Sequence, residues 1–431
     1  MGRFVGVVSV ITLLAAAPAS AAELTRVATS GDPNNPFDLD FSIRWERLQK
    51  RATISKEVTQ AGAGSLAEVI DTNLLRVSDV TNVVVPRVAV GLYQDLELHL
   101  EIPYYLARED GWRYGLGPDG LPVDQAPISG NTIQPDGGAC AGPCPLFPVG
   151  GGTTVFQGGV AGDVKAGLTW GIFSDRRDDT KPFWLVGLDV TFPSAKRYDP
   201  AKGRDASWLS PYSSSSTTGP VGQKAWKYDF YTALSRRMGI LDPYFKAHLT
   251  AMSKSSSTYS NCDEVAFAAS QGQASATAVA NCALPQWKDK AGARLPYLAG
   301  LTFGTEIVPF EDAAAGQKVV IDLRASADYT SSARWYNELT DATGKLLQTD
   351  SYVTILGTLG VLFRASEYVA VQGSASLGTV SSHLITGEAL GANGGADQNP
   401  NYDWRWDAPG RRFRVGDVSL FNLQATFILQ F

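Results

Sequence analysis

The chain has 431 residues, a formal net charge of −6 and a charged fraction of only 19%. This acidic balance argues against nucleic acid as a partner. Glycine (43 residues) and aromatic side chains (10%) are plentiful, which is typical of sheet surfaces and of the tight corners of barrels.

The N-terminus has the parts of a secretory signal peptide. A basic residue, Arg3, precedes an apolar run over residues 4–17, and small residues follow at 19–21. The run is shorter than the roughly 20 apolar residues of a membrane-spanning helix. We therefore predict a signal peptide over 1–21, then an N-terminal periplasmic segment over 22–36 that could enter a barrel lumen. No later apolar run has helical spanning length, so the exported chain is either soluble or crosses a membrane by strands.

Apolar and polar side chains alternate in segments along residues 37–431. In the first segment, the residues from Leu39 to Trp45 alternate with charged residues that include Arg44 and Glu46. Such a charged face cannot be the core of a soluble protein, but it can line a wet lumen or form a solvent-facing surface. About twelve segments show the pattern, an even number as single-chain bacterial barrels require. They lie near 38–46, 82–92, 96–104, 163–172, 184–192, 226–234, 243–252, 296–308, 319–329, 352–364, 368–378 and 421–431.

The connections between these segments alternate strictly in length. Short ones fall at 93–95, 174–182, 236–242, 310–317 and 365–367, and long ones at 49–80, 106–160, 194–223, 254–294, 331–350 and 379–414. With both termini in the periplasm, every short turn is periplasmic and every long loop extracellular. The predicted fold is therefore all-β: a transmembrane, antiparallel, up-and-down β-barrel of about twelve strands in the cell outer membrane.

The last strand carries a terminal motif. Phe427, Leu429 and Phe431 lie on its apolar register and alternate with polar residues such as Gln430. A chain that ends on an aromatic residue in this register resembles the C-terminal signature of bacterial outer-membrane barrels. The resemblance implies that these three residues are read by the barrel-assembly machinery. Outer-membrane lipid and lipopolysaccharide are the other expected partners, together with a small-molecule solute.

Four cysteines fall in two predicted extracellular loops. Because their number is even and export implies an oxidising compartment, we predict the disulfides Cys140–Cys144 and Cys262–Cys282. A metal site is the alternative, but a C-x₃-C pair is a weak metal signal and no histidine is near it. We predict no metal and no cofactor.

Three short pieces resemble the outer-membrane proteins of the phenol MetA degradation pathway family, which are distantly related to the FadL-type transporters. The pieces span 91–105, 162–173 and 185–200, and the resemblance covers about residues 80 to 431. The chain departs from the family pattern at Gln94, where glycine or threonine is common, and at 193–195, where Pro-Ser-Ala replaces Pro-Thr-Gly. The resemblance implies a transporter of hydrophobic compounds, although the sequence shows no clear equivalent of the N-terminal hatch of the FadL type.

Charged residues on the inward register are the candidates for a functional lumen. Structural ion pairs across the wall are one role for them. A selective constriction built from Glu97, Glu101, Lys246 and Arg324 is the other. The full candidate set is Glu97, His99, Glu101, Lys165, Asp189, Lys246, His248, Asp322 and Arg324.

We expect a channel or transporter for passive diffusion of small, hydrophobic or aromatic molecules. The alternative is a non-conducting barrel that displays recognition loops. A lipid-facing hydrolase would need a serine, a histidine and an orienting asparagine on the outer wall. Since the register turns His99 and His248 inward and places His383 in a long loop, no enzymatic activity is predicted.

Overall fold

The computed structural model of the protein describes residues 22–31, 37–61, 67–115, 152–174, 177–178, 180–198, 221–263, 265, 282–283, 290–343, 345–389, 401–403 and 406–431. The predicted signal peptide and the predicted Cys140–Cys144 disulfide lie outside these ranges. No helix in the described ranges is long and apolar enough to cross a membrane.

Nearly all regular structure is β-strand. A short 3₁₀ turn lies at Glu23–Thr25 and a four-residue helix at Thr340–Thr343. The strands are β1 (Leu39–Ala61), β2 (Ala67–Tyr93), β3 (Leu96–Glu101), β4 (Tyr104–Tyr114), β5 (Gly152–Ala161), β6 (Lys165–Phe173), β7 (Phe183–Thr191), β8 (Ala225–Ser235), β9 (Leu241–Lys254), β10 (Leu298–Asp312), β11 (Gln317–Thr330), β12 (Ala333–Trp335), β13 (Leu347–Thr349), β14 (Tyr352–Ser366), β15 (Val369–Val380), β16 (His383–Leu384) and β17 (Phe413–Gln430).

Twelve antiparallel strands close into a ring. The order is β1, β17, β15, β14, β11, β10, β9, β8, β7, β6, β3 and β2, and β2 pairs back with β1. At the periplasmic end of the seam, the backbone N–H of Leu39 donates to Phe431 O at 2.9 Å and that of Phe431 donates to Leu39 O at 3.0 Å. A closed ring satisfies its own backbone hydrogen bonds, as crossing a membrane requires. The predicted twelve-stranded barrel is thereby confirmed.

Two strands of the ring are interrupted and then continue. β3 and β4 both pair with β2, and Pro103, which has no backbone N–H, lies at the break between them. β5 and β6 are separated at 162–164 in the same way, and β4 pairs with β5. β4 and β5 thus carry this side of the wall above the twelve-stranded ring.

The first hairpin corrects the prediction of a long loop at 49–80. β1 has 23 residues and β2 has 27, so both strands continue through this region. At about 3.3 Å per residue, β1 is far longer than the roughly 30 Å of a hydrocarbon core. Above the membrane the outward face of the hairpin lies in water rather than in lipid, so nothing forces every second side chain to be apolar. The alternation that identifies a spanning strand therefore disappears there.

The outward face of the ring is an apolar belt. On β3, outward Leu98 and Leu100 are exposed while Glu97, His99 and Glu101 are buried on the inner face. Exposed apolar patches larger than a few hundred Å² are rare on soluble monomers, whereas a lipid-facing barrel requires them. Outward members of the belt include Ile43, Val88, Leu168, Phe230, Leu249, Leu301, Phe303, Leu323, Leu359, Val371 and Phe427.

Candidate functional site

An acid-rich network lies on the inner wall in the lower half of the lumen. His99 on β3 lies between two carboxylates, with Nδ1 3.1 Å from Glu97 Oε1 and Nε2 3.0 Å from Asp189 Oδ1. All three residues are buried. Since Asp189 belongs to β7, the contact reaches across the intervening strand β6.

Two cations complete this network. Arg87 on β2 pairs with Glu97 and lies 3.5 Å from Glu101, while Lys165 Nζ lies 2.9 Å from Glu101 and 3.3 Å from Asp189. Three carboxylates thus face the two basic side chains of Arg87 and Lys165. The imidazole of His99 lies between two of these carboxylates. Buried ions are tolerated only when they are paired in this manner. The structure therefore brings together five of the nine predicted lumen residues.

Inward glycines make room for such contacts. A Cβ atom at Gly167 would overlap both the Asp189 carboxylate and the His99 ring, which meet over this glycine. The same arrangement occurs at Gly187, where the Tyr231 ring crosses the strand and its hydroxyl lies 2.6 Å from Thr169 Oγ1. Two further cases are Gly300, between His248 and Asp328, and Gly304, under Tyr244 where it reaches Asp322.

The four remaining candidates also face the lumen but form separate contacts. Tyr244 donates to Asp322, and Arg324 Nε lies 3.6 Å from Asp322 Oδ2. His248 lies 3.5 Å from Asp328, and Lys246 Nζ lies over the Tyr231 ring at 4.7 Å from its centroid. Among the described residues, the proposed constriction of Glu97, Glu101, Lys246 and Arg324 is therefore not assembled by direct contact.

Residues 22–31, which we call the plug, lie inside the periplasmic end of the barrel. The backbone N–H of Ala28 donates to Glu97 Oε2 at 2.8 Å, and that of Glu23 donates to Glu306 Oε1 at 2.9 Å. Val27 packs in an apolar cluster with the inward side chains of Phe183 and Leu185. Residues 22–31 of the predicted N-terminal segment therefore lie in the lumen, and residues 32–36 lie outside the described ranges.

Ion pairs tie the plug to separate parts of the wall. The Glu23 carboxylate lies 2.8 Å from Arg364 and 3.8 Å from Lys318, on β14 and β11. Arg26 lies 3.1 Å from Asp40 on β1. The sequence allowed entry into the lumen but could not identify the contacts, because the segment has no alternation and Glu23 pairs with Arg364, 341 residues away. The signal present in the sequence was a stretch of small residues flanked by charges of both signs.

The extracellular loops pack over the other end of the lumen. We call residues 331–343, 345–351, 381–389, 401–403 and 406–412 the cap. Their buried apolar side chains include Leu339, Ile385 and Trp406, and these pack in one cluster with Ile54 and Leu75 on the first hairpin. The extracellular closure is thus a hydrophobic core of its own.

Buried polar contacts hold the cap together. Arg334 pairs with Glu388 and donates to the backbone oxygens of Lys290 and Gly292 at 3.0 and 3.1 Å. The carboxylate of Asp407 accepts three backbone N–H groups, from residues 387, 388 and 403 at 2.8, 3.0 and 2.7 Å. Burial raises the pKa of Asp407 to about 7. The predicted disulfide Cys262–Cys282 is formed in a neighbouring loop.

An open, partly apolar space remains between the network and the cap. Leu48 faces inward, because its neighbours Glu46 and Lys50 contact Asn422 of the inner wall and Glu338 of the cap. Nevertheless 41% of Leu48 is exposed. Since an inward leucine can be exposed only if the lumen beside it is not filled by side chains, the described part of the upper lumen has free volume beside Leu48.

None of the three histidines faces the lipid. His99 and His248 lie in the lumen contacts described above, and His383 stacks on Tyr352 with ring centroids 4.4 Å apart. Its Nδ1 lies 2.8 Å from the backbone oxygen of Ser381. The lipid-facing catalytic arrangement considered for a hydrolase is therefore not available to these side chains.

No family model and no curated protein matches the sequence. Among solved structures, the chain is similar to an outer membrane channel from Pseudomonas putida at 10% identity and a TM-score of 0.39, covering 90% of this chain and 95% of that one. It is also similar to a FadL homologue of Pseudomonas aeruginosa (9%, TM-score 0.34, 91% and 90% covered) and to a mutant of the monoaromatic hydrocarbon channel TodX (7%, TM-score 0.31, 91% and 90%). Likenesses this weak carry no argument about activity, and the resemblance to the phenol MetA family stays a prediction.

Proposed function

We propose that this protein is an outer-membrane transporter through which small, hydrophobic or aromatic molecules diffuse passively. The observation that carries the proposal is the exposed, inward Leu48 in an upper lumen that side chains do not fill. In a barrel blocked by its own side chains, those side chains would fill this space. A diffusing solute requires it to be free.

The way in which the ends are closed supports the same proposal. The plug is held by hydrogen bonds and ion pairs, and the cap by an apolar cluster, polar contacts and the two-residue strand β16, rather than by the long strand pairing of the ring. Segments of this kind open at lower free energy than a barrel wall. Tyr105 on β4 lies on the inward register of this upper lumen and adds an aromatic surface to the wall.

The test is single-channel recording in planar bilayers, with three forms of the refolded chain. These are the chain from residue 22 onward, the same chain without residues 22–31, and the first form with Leu48→Trp. We expect discrete conductance steps that become larger or more frequent without the plug. We expect smaller or rarer steps when a bulky ring occupies the space beside Leu48. Heat-modifiable gel migration establishes that each form is folded.

A silent record from all three folded forms would overturn the proposal and favour a barrel that displays recognition loops. One observation favours that second candidate: β1, β2, β4 and β5 carry the wall beyond the membrane as an extracellular extension.

If the protein conducts, liposome-swelling rates identify the solute class, with faster entry expected for phenol-sized aromatics than for sugars of similar mass.

A further inference from the structure

Four arginines face outward on one side of the barrel. Arg47 and Arg51 lie on β1, Arg76 on β2 and Arg113 on β4, and all four are exposed. We call them the arginine patch. The register fixes their direction, because the alternate residues of β1, Glu46 and Lys50, make their contacts inside the lumen.

Strand pairing brings the patch together. Arg76 lies directly opposite Arg113 on one side and opposite Thr53 on the other, and Arg51 lies opposite Ser78. Arg51 is thus a diagonal neighbour of Arg76. Directly opposite residues are about 5 Å apart and diagonal ones about 7–8 Å. Arg47 lies four residues below Arg51, roughly 13 Å along the strand. The patch is a continuous strip of positive charge.

Among the described residues, no carboxylate forms an ion pair with any member of the patch. The amide oxygen of Gln49, in the orientation that satisfies both groups, accepts from Arg51 at 3.2 and 3.0 Å. The acidic side chains nearest in register are Glu109, opposite Val80, and Asp417, at the bulge beside Arg51. By contrast Arg414, which is also outward, lies 3.1 Å from Asp71.

The patch therefore lacks a counterion within the described protein. Like charges directly opposite each other in a sheet are destabilising, as in the pair Arg76 and Arg113. An anion between them would convert this repulsion into binding energy. Guanidinium groups are suited to this role because they hold phosphate oxygens through two parallel hydrogen bonds.

The height of the patch identifies the source of the anion. Below it, the outward residues of β1 from Leu39 to Trp45 are apolar. Their partners on β2, from Val84 to Val90, are apolar as well. Arg47 is the next outward residue after Trp45, an amphipathic ring of the type found at membrane interfaces. The strip thus begins where the apolar belt ends, on the extracellular side, at the level of the lipid headgroups.

We propose that the arginine patch binds the phosphate groups of lipopolysaccharide in the outer leaflet, with the acyl chains lying on the belt below. The outward positions of β6 to β11, β14 and β15 contain no lysine or arginine. Binding is therefore confined to one side of the barrel. The site lies on the lipid face, so it stands independently of whether the lumen conducts.

The test compares three forms of the full chain purified from membranes in mild detergent. They are the native protein, the patch variant (Arg47→Gln, Arg51→Gln, Arg76→Gln and Arg113→Gln) and a control (Arg177→Gln, Lys181→Gln, Arg236→Gln and Arg237→Gln). The control removes four positive charges from the periplasmic turns. The probes are purified lipopolysaccharide, the same lipopolysaccharide with its lipid phosphates removed, and inorganic phosphate, and binding is measured by native mass spectrometry and titration.

We expect the patch variant to bind phosphorylated lipopolysaccharide at least tenfold more weakly than the native protein, and the control to bind it equally well. Dephosphorylated lipid should bind the native protein as weakly as the phosphorylated lipid binds the patch variant. The proposal is overturned if the patch variant keeps its affinity, or if the native protein does not distinguish the two lipids. Binding of inorganic phosphate as tight as that of the lipid would reduce the patch to a simple anion site and overturn the lipid assignment.

Stability measurements separate a binding role from a structural one. Without lipopolysaccharide, the patch variant should unfold at the same temperature as the native protein or higher, because the repulsion between Arg76 and Arg113 is gone. When lipopolysaccharide is added, the unfolding temperature should rise only for the native protein and the control. A patch variant less stable than the native protein in lipid-free detergent would show a structural role and contradict the proposal. The single changes Arg76→Gln and Arg113→Gln give the same comparison with a smaller perturbation of the sheet.

Discussion

Inward glycines decide where the polar side chains of the lumen meet. His99 and Asp189 belong to strands that are not neighbours, and their contact exists because Gly167 lies between them without a side chain. Alternation in the sequence was sufficient to place His99 and Asp189 on the inner face. It could not pair them, because the relative register of three strands is set by turns and bulges such as the one between Gly171 and Phe173.

Gly167→Ala should destabilise the barrel by about 2 kcal/mol, since overpacking a filled site costs about 1–3 kcal/mol. The measurement is the urea midpoint of unfolding from lipid vesicles. Gly373→Ala is the matched control, because its Cβ would meet nothing within 4 Å on another strand of the same ring. Equal midpoints for the two variants would show that His99 and Asp189 are not held over Gly167.

At the scale of elements, the cap is the part most sensitive to solution conditions. Its segments 381–389 and 401–412 are joined through the single carboxylate of Asp407, which accepts hydrogen bonds from both. An aspartate in an unfolded loop has its usual pKa of 3.8, whereas burial raises the pKa of Asp407 in the closed cap to about 7. The closed cap therefore holds a proton that the open loop has already released between about pH 4 and 7.

It follows that the closed cap should lose stability as the pH rises through this window. Hydrogen exchange of the Gly387 and Glu388 amides, corrected for intrinsic rates, should show protection at pH 5 that falls by more than about tenfold by pH 8. Asp407→Asn should make protection independent of pH, at the cost of the hydrogen bond from Asp403. A native protein with equal protection at both pH values would contradict this assignment.

Elements also show where sequence reasoning ends. The belt in lipid forces alternation, so the twelve spanning strands, the short turns and the inward candidates could all be predicted. The upper parts of β1 and β2 face water rather than lipid on their outward side, so they carry no such pattern. The plug has no regular structure beyond one 3₁₀ turn, and only its three-dimensional partners reveal its place. The cap core, built from residues as distant as Ile54 and Trp406, is invisible for the same reason.

For the molecule as a whole, closure of the ring depends on its two terminal strands. β1 pairs with β17 along most of its length, and Leu39 and Phe431 exchange backbone hydrogen bonds at the end of this seam. The Phe431 side chain points outward on the register shared by Leu429 and Phe427. The last residue of the chain is thus available to a membrane or to an assembly factor while the seam is still open.

Phe431→Ala should lower the fraction of folded barrel in outer membranes several-fold without changing the stability of the barrels that do fold, because it removes the predicted assembly signal and keeps the backbone pair with Leu39. Heat-modifiable migration of newly made protein measures the folded fraction. Phe310→Ala removes an equally outward aromatic residue from β10 and is the control. Equal folded fractions for both variants would argue against an assembly role for the terminal residue.

The plug has a consequence for the order of events in biogenesis. Glu23 finds its partners Glu306 and Arg364 at sequence separations of 283 and 341 residues. Contacts of such separation form late, because the chain between them must already be ordered. The first segment to emerge is therefore among the last to be seated, after the C-terminal half of the wall exists. We therefore expect a barrel whose wall has just closed to be open at its periplasmic end until residues 22–31 bind there.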